Sequence, residues 1–104
     1  MKQKYPINIA GLTYDIIIKD AQSMGGHIGQ ADFNAQEIRL NESFTDQTKT
    51  IAVYHEIIHI LDSVFGLNLT EQQVVIGTHA LICFLDNNPN FNVKDILNKL
   101  SPQA

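Results

Sequence analysis

The chain predicts an α+β domain in which a small twisted sheet of three to four strands comes first and helices follow. Three observations carry this. Residues 7–18 alternate apolar and polar about a two-residue Ala10-Gly11 break, the mark of a β-hairpin. Residues from about 46 to 65 carry apolar side chains at helical spacing, and two further helix patterns follow. Strands therefore precede helices, the order of an α+β rather than an alternating α/β fold.

In the hairpin, Ile7 and Ile9 on one arm and Leu12, Tyr14, Ile16 and Ile18 on the other point to one face. A two-residue loop sets positions 9 and 12 opposite each other, so both arms bury the same side. Gly25-Gly26 then breaks the chain, 27–33 reads as a third strand, and Asp32 to Gln36 reads as a turn. Glu37 to Asn41 is a fourth strand with Ile38 and Leu40 inward.

Ser43 and Thr45 are the N-cap candidates of the long helix, and acidic Asp46 suits its first turn. Ile51, Tyr54, Ile58, Leu61 and Phe65 form one buried stripe, and Val53, Ile57, Ile60 and Val64 a second. Gly66 fits the left-handed position that ends the helix. Thr70 with Gln73 makes a capping box for the next helix, whose inward stripe is Val74, Thr78, Leu81 and Leu85, widened by Val75 and Ile82. Asn87-Asn88-Pro89 ends it, and Asn92 caps a last short helix with Val93, Ile96, Leu97 and Leu100 inward. With no repeat, linker or low-complexity stretch, residues 1–104 read as a single domain.

Composition narrows the function. The chain is 44% hydrophobic and 17% charged, so it can bury a core. A net charge of −4 without a basic cluster argues against nucleic acid as a partner. No apolar run approaches a membrane span and residues 1–6 lack the apolar core of a signal peptide, so a cytoplasmic protein without membrane contact is expected. Cys83, the single cysteine, reads as a small buried hydrophobe in a reducing compartment.

The chemistry sits in His55-Glu56-Ile57-Ile58-His59. Residues four apart on a helix share a face, so His55 and His59 can aim ring nitrogens at one point. A zinc ion takes such nitrogens at about 2.0–2.1 Å. Glu56 flanks that point and can take a proton from a water activated there. The competing reading is two surface histidines and an exposed Glu, but a helix this apolar is buried on most sides and its polar strip lines a cleft.

A catalytic zinc generally has a third protein ligand. Glu71, in the first turn of the next helix, is one candidate, although an acidic residue there also serves the helix dipole. His79, two turns further on, is the other. Asp62 shares the histidine face and reads either as an acceptor for a ligand imidazole or as a solvated cleft-edge residue. His27 is not expected to ligate.

The chain resembles zincin metallopeptidases, in particular the small ImmA/IrrE-like and phage- or prophage-encoded metallopeptidases. The resemblance runs through Gly11-Leu12-Thr13-Tyr14, Gly29-Gln30-Ala31-Asp32, Ile38-Arg39-Leu40-Asn41, the segment His55 to Asp62, Leu69-Thr70-Glu71 with Val74, and Asp86-Asn87-Asn88-Pro89. Of these the His-Glu-x-x-His motif is specific. The resemblance implies a zincin-like fold and a gluzincin-like ligand set of His55, His59 and Glu71, with eleven residues between His59 and Glu71, fewer than in many gluzincins. It further implies a zinc-dependent peptidase with Glu56 as general base. The substrate would be a peptide or protein aligned as an added strand on Gly29 to Phe33 or Glu37 to Asn41, with His79 or a Tyr as oxyanion donor. The alternative is a non-hydrolytic, zinc-stabilised interaction module.

Overall fold

The computed structural model describes residues 3–101. Its elements are β1 (Tyr5–Ile9), β2 (Leu12–Lys19), α1 (Ala21–Met24), β3 (Gly29–Asp32), β4 (Glu37–Asn41), α2 (Asp46–Phe65), α3 (Glu71–Asn87) and α4 (Val93–Leu100). The architecture is α+β, with a four-stranded mixed sheet of order β1-β2-β4-β3. Among the described residues no helix is long and apolar enough to cross a membrane.

β1 and β2 form the expected hairpin, with Ile9 opposite Leu12. Both loop residues are left-handed, Ala10 at φ 54 and Gly11 at φ 88, the geometry of a turn that follows the natural strand twist. The Asn8 side chain closes it by accepting from the Gly11 amide at 2.9 Å.

β2 runs parallel to β4 and β4 antiparallel to β3. This places β4 in the interior and β3 at an edge, so of the two strands proposed to receive a peptide only β3 has an open side. β3 is also shorter than 27–33: His27 and Ile28 precede it and Phe33 belongs to the turn. That turn is built by Asp32, whose Oδ1 accepts the amides of Asn34 and Ala35 at 3.0 and 2.9 Å.

The core lies between the sheet and α2. Ile9, Tyr14, Ile38, Leu40, Ala52 and Ile60 are its buried members, and Ile7, Ile16, Val53, Ile57 and Leu61 pack around them. Leu12 and Ile18, expected inside, are exposed, while Ile17 on the opposite face is buried. α2 rests chiefly on β3 and β4 and reaches β1, so the two ends of β2 fall outside its footprint.

Thr45, not Ser43, caps α2, its side chain accepting from the Thr48 amide. Ser43 instead donates from its amide and hydroxyl to Asn41 Oδ1, at 2.9 and 2.7 Å. Asn41 is itself buried, and its Nδ2 donates to the His27 carbonyl at 3.0 Å. One buried amide thus ties the end of β4 both to the loop before β3 and to the approach to α2. α2 ends at Gly66, left-handed at φ 64, as its sequence predicts, but its last residues Val64 and Phe65 are exposed.

α3 starts with a complete Thr70–Gln73 capping box and folds back along α2. Val74 and Thr78 are fully buried there. Leu81 and Val75, expected inward, are exposed, as is Cys83, which is not the buried thiol the sequence suggests. α2 is the element α3 packs on, and one helix covers one face of another: Val74, Thr78, Ile82 and Leu85 are on the covered side and Val75, Leu81 and Cys83 off it. α4 is capped by Asn92 as expected, but Val93, Ile96, Leu97 and Leu100 all face outward.

A candidate metal centre between α2 and α3

The one-turn spacing on α2 brings the His55 and His59 rings together, with centroids 4.7 Å apart and Nε2 atoms 3.1 Å apart. Glu71, at the start of α3, reaches both. Its Oε1 lies 2.9 Å from His55 Nε2 and its Oε2 lies 3.0 Å from His59 Nε2. Donor atoms of these three residues all fall within 4.8 Å of one another.

The turn between the helices explains how a short connection achieves this. Gly66 and Leu67 both donate their amides to the Asp62 carbonyl. Asn68 takes a left-handed backbone at φ 58, and the Leu69 amide donates to Asp62 Oδ1 at 3.1 Å. Thr70 then caps α3, so Glu71 emerges in its first turn, facing back at α2. Asp62 thus anchors the turn that aims Glu71, instead of holding an imidazole or standing in solvent. Nothing in the sequence marks that role, because it depends on the chain doubling back on itself.

The donor set suits a cation. Two nitrogen atoms 3.1 Å apart, both facing one carboxylate, have their lone pairs converging on a point that a positive centre stabilises. A tetrahedral zinc with bonds of about 2.0–2.1 Å spaces its donors roughly 3.3 Å apart, close to what is found here. Two imidazoles and one carboxylate with one side open match the three protein donors of an open zinc site and not the four of a closed one. Glu71 keeps 64% of its side chain exposed, so the open side faces solvent.

Glu56 is not one of the three converging groups and is tied to the sheet through Ala31. It is partly buried, and burial pushes its carboxyl pKa up. Positive charge on His55 and His59 and a hydrogen bond from the Ala31 backbone amide pull it back down, while Glu71 adds to the rise. Ala31 belongs to edge strand β3, so the same contact links Glu56 to the one open strand.

Two clefts meet at Glu56. One, of about 560 Å³, is lined by Ile28, Ile51 and Ala52 with His27, His55 and His79. The other, of about 520 Å³, runs along Gly29 to Asn34 with Arg39 at its side. Arg39 is held there by Asp32 and Glu37 at 2.8 and 3.0 Å. His79 and His27 therefore line a cleft beside His55 and do not join the trio, whereas Glu71 does. Gly29 has a packing role the sequence does not show: a Cβ there would sit 3.0 Å from Ala52 Cβ, so its lack of a side chain lets β3 press against α2. The Gly-rich stretch was visible in the sequence, but its partner was not.

Comparison with protein-family models, with curated proteins and with solved structures finds no match to this chain.

Proposed function

We propose that the chain is a zinc-dependent peptidase, with His55, His59 and Glu71 holding the ion and Glu56 acting as general base. The observation that carries this reading is the convergence of His55, His59 and Glu71 beside a half-buried Glu56 that opens on two clefts. When bound, zinc supplies a Lewis acid that polarises a carbonyl and lowers the pKa of water to about 7. The remaining work falls to side chains of the chain. Glu56 accepts a proton on its carboxylate and returns it to the leaving amine. The hydrogen bond from the Ala31 amide ties the Glu56 carboxylate to β3.

The edge of β3 offers the place for substrate. The Ile28 carbonyl accepts from the Asn41 amide, so by strand alternation the backbone groups of Gly29 and the Ala31 carbonyl turn away from β4, the Ala31 amide being engaged by Glu56. An extended peptide added there passes Glu56 and has a cleft on either side. The peptide is the proposed partner class, and the reading needs neither nucleic acid nor membrane.

The test is hydrolysis of a diverse peptide mixture, read by mass spectrometry, for wild type and Glu56→Gln, with zinc measured on both. Zinc on both proteins and cleavage by wild type alone is the expected result. Equal cleavage by the two would remove Glu56 from the reaction. A second reading stays open on one observation: the trio bridges α2 and α3, so an ion there also clamps α3 to the one element it packs on. Stoichiometric zinc with no cleavage of any peptide would favour that zinc-stabilised module.

A further inference from the structure

The edge of β3 offers an added strand an uneven set of partners. Ile28 bonds to Asn41 of β4, and Gln30 and Asp32 stand opposite Arg39 and Glu37, so alternation leaves the backbone groups of Gly29 and Ala31 for a strand on the other side. The Ala31 amide is taken by the Glu56 carboxylate. Gly29 therefore offers both its amide and its carbonyl, and Ala31 its carbonyl alone. A peptide seated there is held in register, with one of its residues opposite Gly29 and exchanging both hydrogen bonds with it.

Residues directly opposite each other in a sheet carry their side chains on the same face. Gly29 lies on the α2 face, since it pairs with Leu40 of the core and abuts Ala52. The peptide residue opposite Gly29 thus turns its side chain toward α2. There lies the cleft of about 560 Å³, with Ile28 on one wall and Ile51 and Ala52 on the other. Ile51, Ala52 and His55 share one strip of α2, so the apolar wall runs up to the first imidazole of the trio. Among the described residues that line this cleft there is no Lys or Arg, and Glu56 is the only carboxylate. The two neighbours of that peptide residue turn to the opposite face, because side chains alternate along a strand. Gln30, Asp32 and Arg39 stand on that side, so the neighbours meet polar groups.

We propose that the β3 edge selects an extended peptide with a large apolar side chain, of leucine or phenylalanine size, opposite Gly29 and polar residues on either side of it. The proposal rests on the reading of β3 as the edge that receives a peptide, which it deepens, and not on hydrolysis.

Fluorescence polarisation tests it with fluorescein-labelled heptapeptides Ser-Gln-Ser-X-Ser-Gln-Ser, where X is Leu, Phe, Ala or Lys. The protein is full-chain Glu56→Gln with zinc in the buffer, so that the probes stay intact. The Leu and Phe probes are expected to bind at least about 10-fold more tightly than the Ala probe, the discrimination that an apolar pocket gives for one methylene or more. Ile28→Asp and Ile51→Asp, added in turn from opposite walls of the cleft, are expected to abolish that preference with an unchanged far-ultraviolet circular dichroism spectrum. Ile28 is 37% exposed, so its variant covers the case in which Ile51→Asp disturbs α2. Leu12→Ser, an exposed position on the hairpin, is expected to keep the preference. Equal binding of the Leu and Ala probes overturns the proposal, as does no binding of any probe up to about 1 mM, or a preference that survives in either folded cleft variant. The two readings fail differently. Cleavage of a peptide mixture by wild type with no large apolar residue recurring beside the cut overturns the proposal and leaves the peptidase standing. Apolar-selective binding with no cleavage by wild type supports the proposal and removes the peptidase.

Discussion

Glu71 reaches both imidazoles while His79 lines a neighbouring cleft, and this division makes single substitutions informative. Glu71→Ala is expected to weaken zinc binding several-fold to orders of magnitude, and His79→Ala to leave it nearly unchanged. Competition titration against a chelator ranks the two, and the reverse ranking would hand the role to His79. Glu56→Gln keeps the shape of a residue outside the trio, so zinc content and fold are expected to persist. Hydrolysis is expected to fall about 10²–10⁴-fold, the usual contribution of a general base. Asp62→Ala separates aiming from ligation. It leaves all three donors in place but removes the acceptor of the Leu69 amide, so zinc affinity is expected to fall less than in Glu71→Ala.

β3 is the element whose position matters most, since it presses on α2, contacts Glu56 and borders both clefts. Gly29→Ala drives a Cβ to 3.0 Å from Ala52 Cβ, so the strand or the helix must shift. Overpacking of this kind costs about 1–3 kcal/mol. Chemical denaturation of Gly29→Ala, Ala52→Gly and the double variant is expected to show the two changes compensating. Simple additivity would mean that the contact does not position β3. The far end of the strand is set by Asp32. The Ala35 amide, with the Asn34 amide and Arg39, holds its carboxyl below the ordinary carboxylate value. A group whose pKa is lower folded than unfolded stabilises the fold fully above its unfolded pKa. That contribution is lost as pH falls through the folded one. Unfolding profiles of wild type are therefore expected to lose stability below the usual carboxylate range, and those of Asp32→Asn to be flatter there. Parallel acid limbs for the two proteins would remove Asp32 from the turn's energetics.

At the scale of the molecule, sheet and α2 share a continuous core, and α3 lies outside it, packed on α2 with Val74 and Thr78 fully buried and Ile82 and Leu85 partly so. An ion held by His55, His59 and Glu71 would fasten the start of α3 to α2. A ligand that binds only the folded state stabilises it by about 2.7 kcal/mol at 100 times its dissociation constant. Zinc is thus expected to raise the melting temperature, a chelator to reverse the rise, and His59→Ala to abolish both responses. A melting temperature indifferent to zinc in wild type would count against the site.

The sequence by itself determined what short stretches of chain decide. The Ala10-Gly11 turn, the limits of β4 and α2, the Thr70–Gln73 box and the Asn92 cap follow from residues within a few positions of one another, where local hydrogen bonds and backbone sterics act. The meeting of His55 and His59 belongs to the same class, because one helical turn sets it. The tertiary structure decided what depends on distant segments. It placed β4 inside the sheet and β3 at the edge, put Glu71 and not His79 at the imidazoles, and made Asp62 and Asn41 the anchors of two connections. It also turned Ile18, Leu81, Cys83 and the α4 stripe outward. An apolar stripe states that a face will be covered but not by what. The placement of the neighbouring elements settles that, and among the described residues none of them covers α4.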